Sequence, residues 1–143
     1  MRALGVDFGM RRLGIALSDE EGILASPHRV VLVSSVREAP VAVAAVAGEV
    51  GAQEIVVGVP IGLEGEEHRK EVRRVERFAR ALRKMAGLPV HLEDESMSTR
   101  EAEERAREAG RSEREDMIHA HAAAIVLQRW LDRAKARREK PDS

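Results

Sequence analysis

The seven residues EIVVGVP, at positions 54–60, constrain the fold more than any other stretch of the chain. A continuous apolar run of this length is typical of a strand covered on both faces, because a strand with one wet face alternates apolar and polar residues. An Ala-rich helical segment ended by Gly51 precedes the run, at 39–51, and an amphipathic helical segment follows it at 68–85. We therefore expect a mixed sheet with helices on its faces.

The rest of the chain also divides into strand and helix patterns. Strand patterns occupy 2–7, 12–19, 23–33 and 90–94. The short turns between the first three favour an antiparallel meander, and Pro27 interrupts the third. Helical patterns follow at 98–110 and 115–134. We predict one α/β domain over residues 1–134 and a flexible, solvated tail over residues 135–143.

Composition excludes several classes of protein. The 143 residues include no cysteine, so disulfides and thiolate chemistry are excluded. Charged residues make up 34% of the chain but leave a net charge of only −1, so net charge does not indicate a polyanionic partner. The N-terminal apolar run is short and broken by Asp7, unlike a signal peptide, and no segment approaches the roughly 18 apolar residues of a membrane helix. We expect a soluble cytoplasmic protein that does not bind membranes.

Acidic and histidine side chains lie at the ends of three separate elements. Asp7 ends the first strand, and Asp94 and Glu95 end a later one. Asp116 and His119 lie three residues apart on one face of the last helix. A lone strand-end aspartate often only caps a turn, but strand ends that meet at one edge of a sheet would crowd these carboxylates. Crowded carboxylates repel each other unless cations lie between them, so the pattern predicts a site for Mg²⁺ or Mn²⁺. Two such ions, roughly 4 Å apart, can activate a water and stabilise the leaving oxygen of a phosphodiester.

The chain resembles the YqgF/RuvX family of RNase H-like nucleases in four ordered motifs: GVDFGMRRLGIALSD, VVGVPIGLEGEEHRK, HLEDESMSTREAE and HAAAIVLQRWL. The motifs span nearly the whole chain. The resemblance implies an RNase H-like α/β fold, with a five-stranded mixed sheet in the order 3-2-1-4-5 flanked by helices. It also implies a metal-dependent endonuclease that resolves four-way DNA (Holliday) junctions in recombination and repair, or processes the 5′ end of precursor 16S rRNA in ribosome biogenesis.

The resemblance assigns catalytic roles to individual residues. Asp7 matches the first catalytic aspartate of the family, and the family's Asp-Glu-Arg run begins at Asp94, with Glu95 as the second acid and Asp94 as its alternative. His119 stands where the family has an aspartate on the last helix, and imidazole can also ligate a metal or accept a proton. Asp116, one turn earlier, is an alternative source of that carboxylate. We expect Asp7, Glu95 and His119 to hold the metal, with Asp116 assisting.

Two loop positions match the family, and two other positions depart from it. Gly58 and Pro60 match its Gly-x-Pro loop and are expected to shape the rim near the scissile phosphate. Met10 stands where the family usually has threonine, and Ser96 where it has arginine. The chain therefore lacks one hydroxyl and one phosphate-binding guanidinium of the family pattern.

Arginines surround the predicted site. Arg11 and Arg12 follow the first strand, and Arg100 and Arg114 flank the helix that leads to the last motif. We expect these four side chains to contact phosphates. The arginines of segment 68–85 alternate mostly with glutamates and are interpreted as a solvated helix face. With two phenylalanines, one tryptophan and no tyrosine, the chain favours recognition of backbone or shape over base stacking.

Two other classes of protein share parts of this pattern. Actin-like ATPases and sugar kinases also open their phosphate loop with Asp-x-Gly, but they need two RNase H-like halves and 143 residues supply one. A non-catalytic RNA- or ribosome-associated binding factor stays open because His119 replaces an aspartate. Such a factor would keep its affinity when Asp7 becomes asparagine. Resolution of a symmetric junction needs two cuts and so predicts a homodimer, which rRNA trimming does not require.

Overall fold

The computed structural model describes residues 1–60, 65–96, 98–109 and 111–139, except for the side chains at 98, 99, 106, 109 and 111–116. The strands are β1 (Ala3–Phe8), β2 (Arg12–Ser18), β3 (Ala25–Leu32), β4 (Glu54–Val59) and β5 (Val90–Asp94). The helices are α1 (Glu38–Val50), α2 (Glu66–Ala86), α3 (Ser98–Ala109) and α4 (Arg111–Arg138). The strands form one sheet in the order β3-β2-β1-β4-β5, in which β1, β2 and β3 are antiparallel while β4 and β5 run parallel to β1. The expected mixed sheet and its strand order are confirmed.

Strand β4 is buried on both faces, as its apolar run predicted. Ile55, Val57 and Val59 belong to the core that α1 and α2 share with the sheet. Val56 belongs to a second core, formed with α4 on the opposite face. Burial of each of these side chains contributes about 1.5–3 kcal/mol, so the strand holds both layers of helices on the sheet.

Two glycines allow α4 to lie directly on the sheet. A Cβ atom at Gly14 in β2 would lie 1.9 Å from the backbone oxygen of His119, and one at Gly5 in β1 would lie 2.8 Å from that of Ala123. Because backbone atoms cannot yield at such distances, any larger residue would push the helix outward. The glycines therefore determine how closely the start of α4 approaches β1 and β2.

The structure differs from expectation at two places. Strand β3 continues through Pro27, which pairs with Ala16 next to a register shift, because an edge strand can turn the missing N–H of proline toward solvent. Helix α4 extends to Arg138, so residues 135–138, which were predicted to belong to a flexible, solvated tail, are helical and exposed. Basic side chains in this last turn, Lys135, Arg137 and Arg138, favour the helix by opposing its dipole. Among the described residues, no helix combines the length and apolarity needed to cross a membrane.

Candidate active site

Asp7 is positioned by the alternation of side chains along β1. Val6 and Phe8 face α1 and α2, and the ring of Phe8 stacks on Phe78 of α2 with 4.6 Å between ring centroids. Successive strand residues point to opposite faces, so Asp7 lies on the face covered by α4. Its neighbour across the sheet is Gly14 of β2, which leaves room above the strand for the backbone of α4.

Asp7 contacts His119, in the N-terminal half of α4. The His119 Nδ1 atom lies 3.0 Å from Oδ2 of Asp7. An ionised carboxylate can only accept, so the ring N–H donates and Nε2 is left to ligate a metal or exchange a proton. The pKa of His119 is raised: the hydrogen bond that the ring donates to Asp7 and the charge of that carboxylate raise it, and burial and the Arg12 guanidinium only partly oppose the rise. Without a bound metal the pair therefore favours the imidazolium form, whereas metal ligation through Nε2 requires the neutral ring with its proton on Nδ1.

Glu95 lies against Asp7 from the other side. Its backbone N–H donates to the Val59 carbonyl over 3.0 Å, which ties it to the end of β4. Burial, followed by repulsion from the Asp7 carboxylate, raises the pKa of Glu95 to about 7. A Cβ atom at Gly58 would lie 3.0 Å from Glu95 Oε2, so the glycine makes room for this carboxylate. The side chains of Asp7 and Glu95, from strands separated by β4, thus meet at one edge of the sheet.

The Asp94 carboxylate is hydrogen-bonded within the turn that follows β5. Its Oδ1 accepts hydrogen bonds from the Ser96 backbone N–H at 3.0 Å and from the Ser96 hydroxyl at 2.6 Å. The hydroxyl bond is the main reason that the pKa of Asp94 is lowered. Arg129 also donates to the Asp94 carbonyl at 3.1 Å. Asp94 therefore organises the turn after β5, and the geometry favours Glu95 over Asp94 as the partner of Asp7.

The other predicted site residues are Pro60, Asp116 and four arginines. Pro60 is buried directly after β4. The side chains of Asp116 and Arg114 lie outside the described residues. The described members of the predicted phosphate-binding set are all exposed: Arg11, Arg12 and Arg100. Among these three, the charge of Arg12 acts on His119 and lowers its pKa.

Three residues that contribute to the site were not predicted from the sequence. Glu71 of α2 raises the pKa of Glu95 by its charge. Gly5 and Gly14 set the approach of α4. Glycine inside a strand pattern is a signal of close backbone approach and could have identified both positions. Nothing in the spacing of the sequence singles out Glu71 from the other glutamates of its helix.

The donor set at this edge fits a hard divalent cation. No group of three or more metal-capable side chains forms within the described part of the chain. The Asp7–Glu95 pair nevertheless suits Mg²⁺, which commonly takes one or two carboxylates and completes its shell with water and substrate phosphate. A cation between the two carboxylates would remove the repulsion that raises the pKa of Glu95. His119 adds an imidazole beside the pair.

A five-stranded mixed sheet in this order, with acids at the ends of β1 and β5, defines an RNase H-like protein. Solved structures share the fold. The chain matches Thermus thermophilus RuvC in complex with a Holliday junction substrate with a TM-score of 0.62 and 20% identity, covering 94% of this chain and 96% of that one. It matches the yeast mitochondrial Holliday junction resolvase with a TM-score of 0.52 and 13% identity, covering 96% and 81%.

Sequence comparison identifies the family. The family model described as RuvX, Holliday junction resolvase, matches residues 1–133, and the chain belongs to this family. A relative from Anaeromyxobacter sp. strain Fw109-5, named as a candidate pre-16S rRNA nuclease, is 44% identical over 135 residues, which are 92% of this chain and 97% of the relative. A relative of the same name from Maridesulfovibrio salexigens is 36% identical over 137 residues, which are 94% and 100% of the two chains. The resemblance inferred from the motifs is confirmed.

Proposed function

We propose that this chain is a divalent-metal-dependent endonuclease that hydrolyses phosphodiester bonds in structured nucleic acid. One observation carries the proposal. Asp7 and Glu95, which are far apart in sequence, share one edge of the sheet closely enough for Asp7 to raise the pKa of Glu95, and His119 donates to Asp7 over 3.0 Å. In a member of the RuvX family, this cluster is the natural place for phosphodiester chemistry.

Each residue of the cluster has a distinct part in this proposal. Asp7 and Glu95 would hold Mg²⁺ or Mn²⁺, with Asp116 assisting. The ions, when bound as a pair, supply activation of water and stabilisation of the leaving oxygen. His119 fixes the orientation of the Asp7 carboxylate through Nδ1–H and keeps Nε2 for metal ligation or for transfer of a proton at the scissile phosphate. Arg12, exposed beside this pair, would draw in a substrate phosphate.

Two substrates are candidates for the cleavage reaction. The name of the family model points to four-way DNA junctions, and the names of the similar relatives point to the precursor of 16S rRNA. Both are folded nucleic acids that present a backbone in a defined shape. We infer a homodimer if the junction is the substrate, since a symmetric junction needs two cuts. We also place the protein in the cytoplasm, where both substrates occur in bacteria.

A non-catalytic binding factor fits the site poorly. Forcing Glu95 against Asp7 costs free energy whenever both are ionised, and a surface that only binds phosphates gains nothing from two acids beside it. Selection for metal binding accounts for this cost. The binding-factor alternative is therefore disfavoured on physical grounds.

Parallel cleavage assays test the proposal. A labelled four-way DNA junction and a 5′ segment of precursor 16S rRNA would each be incubated with Mg²⁺, Mn²⁺ or EDTA. Wild type, Asp7→Asn and His119→Ala would be compared, with Asp94→Asn as the matched control outside the cluster. We expect metal-dependent cleavage that Asp7→Asn abolishes and that Asp94→Asn reduces by about tenfold at most. Failure of wild type to cut either substrate, with equal binding by wild type and Asp7→Asn, would refute the proposal.

A further inference from the structure

Helix α2 carries a continuous row of basic side chains along its outer face. At 100° per residue, six cationic residues fall within about 60° of one line along the helix. All six are exposed, and we call them the α2 basic stripe: Arg69, Lys70, Arg73, Arg77, Arg80 and Lys84. The buried residues of the helix, Val75, Phe78, Ala79 and Leu82, lie on the opposite face. The packing of α2 on the sheet therefore turns the stripe fully outward.

Most of the stripe is not neutralised. Arg69 pairs with Glu66 at 2.9 Å and Lys70 with Glu67 at 3.9 Å, both in the first turns of α2. Beyond them the described residues provide no ion pair for the other four members of the stripe. From Arg73 to the end of α2, the sequence has six basic residues and a single acid, Glu76. In a chain with a net charge of −1, this is a marked segregation of positive charge.

The stripe has the length of a nucleic-acid contact and begins near the active site. Arg73 and Lys84 are separated by about 16 Å of helix, which spans several phosphates of a strand that rises about 3.4 Å per nucleotide. Helix α2 follows the end of β4, where the Val59 carbonyl accepts from the Glu95 backbone N–H, and the ring of its Phe78 stacks on that of Phe8, the neighbour of Asp7. The stripe is therefore a positively charged surface that extends along α2 from the active-site edge and is complementary to a polyanion.

The stripe and the acids lie on opposite sides of the sheet. Asp7 and His119 are on the face covered by α4, whereas α2 covers the other face. A straight duplex centred on Asp7 lies along one face only. A branched or sharply folded nucleic acid can place one segment in the acidic site and a second segment across the edge of the sheet, on the side that α2 covers.

We propose that the α2 basic stripe binds the phosphate backbone of this second segment, and so favours branched or folded substrates over linear ones. This inference rests on the proposed function, since it requires the first segment to occupy the acidic site. It revises the interpretation of these arginines as a merely solvated face. Arg83 is not part of the surface, because its guanidinium donates to the Val90 carbonyl.

Salt-dependent binding tests the inference. The stripe variant would carry Arg73→Gln, Arg77→Gln and Arg80→Gln, which remove three charges while keeping good helix formers. The control variant would carry Lys135→Gln, Arg137→Gln and Arg138→Gln at the exposed far end of α4, for the same change in charge. Binding of a four-way junction, the rRNA segment and a linear duplex with the same arm sequence would be titrated over a range of salt, in an Asp7→Asn background. Cleavage would be measured with Asp7 intact.

We expect the stripe variant to lower the slope of log affinity against log salt by about 2–3 on the folded substrates, since each lost phosphate contact removes roughly 0.7–0.9. Its slope on the linear duplex and its cleavage rate at saturating substrate should match wild type. The control variant should change neither slope. Equal losses on linear and folded substrates, equal losses in both variants, or unchanged slopes would each overturn the inference. Unchanged slopes would instead favour an acidic protein as the partner of the stripe.

The same experiment separates this inference from the proposed function. Cleavage by wild type, together with binding that does not depend on the stripe, would refute the inference and leave the nuclease assignment intact. Stripe-dependent binding of folded substrates without cleavage by wild type would refute the nuclease assignment and support the stripe as a binding surface. Absence of both binding and cleavage would overturn both.

Discussion

Replacing Glu95 with glutamine is expected to stabilise the metal-free protein at alkaline pH while it removes cleavage activity. The reason is the burial of Glu95, which together with repulsion from the Asp7 carboxylate raises the pKa of Glu95 to about 7 from an ordinary value of 4.5. Because the pKa is higher in the folded protein than in the unfolded chain, folding is penalised as pH rises from 4.5 through about 7. Glutamine keeps the shape of the side chain but does not ionise, so the variant escapes this penalty.

The magnitude follows from the same two pKa values. Their difference corresponds to about 3 kcal/mol of free energy when Glu95 is fully ionised. Glu95 is only partly buried, and solvent screening reduces this to about 1–2 kcal/mol. His119, whose pKa is also raised, adds a further loss of stability with rising pH. His119 is present in both proteins, so its contribution largely cancels in the comparison.

Urea denaturation in EDTA at pH 4.5 and pH 8 measures the effect. We expect Glu95→Gln to match wild type closely at pH 4.5 and to exceed its free energy of unfolding by about 1–2 kcal/mol at pH 8. The control Glu103→Gln, at an exposed position on α3, should follow wild type at both pH values. Mg²⁺ added at pH 8 should stabilise wild type and leave Glu95→Gln nearly unchanged. A variant that is less stable than wild type at pH 8, or more stable by the same amount at both pH values, would refute the reasoning.

Three further predictions concern the frame of the site. Gly14→Ala should destabilise the fold by at least about 1–3 kcal/mol in thermal denaturation, since its Cβ would lie 1.9 Å from the backbone oxygen of His119. Gly48→Ala, whose Cβ would have no atom within 4 Å, should stabilise α1 by about 0.5–1 kcal/mol. Equal effects of the two would contradict the close approach of α4. Arg133→Met should cost about 1–3 kcal/mol at pH 7 because it leaves Glu93, which is 2% exposed, without its ion-pair partner. Burial already raises the pKa of Glu93 despite Arg133, and loss of Arg133 raises it further, so the deficit should shrink as pH falls while pH is still above the ordinary glutamate value of 4.5; a constant deficit would argue against this account. Asp94→Asn should reduce cleavage by about tenfold or less and Glu95→Gln by more than about 100-fold, and the reverse order in initial rates would exchange their assigned roles.

Patterns that are local in sequence predicted the frame of the molecule. The apolar run of β4 predicted a strand covered on both faces, and burial is a property that a short segment carries in its own composition. The position of Asp7 at the end of β1 was equally evident, because strand ends are marked by the residues beside them. The family resemblance supplied the strand order, which depends on pairing between distant segments and is not written in any one of them.

Local patterns did not distinguish the last turn of α4 from an unstructured tail. The basic segment after residue 134 resembles a solvated tail, yet the helix continues to Arg138. An exposed helix end needs only good helix formers and a favourable charge at its C-terminus, and these look the same in sequence as an unstructured charged tail.

The local sequence predicts acids and a histidine at the ends of three elements, because the periods of strands and helices are short enough to follow along the chain. Which of these side chains meet depends on how the elements pack. Asp7 and His119 are 112 positions apart and touch because two glycines let α4 settle on the sheet. Glu95 lies against Asp7 because its backbone N–H donates to the Val59 carbonyl at the end of β4 and Gly58 leaves room for its carboxylate. The direction of a side chain across a packed interface depends on elements distant in the chain, and no local pattern records it.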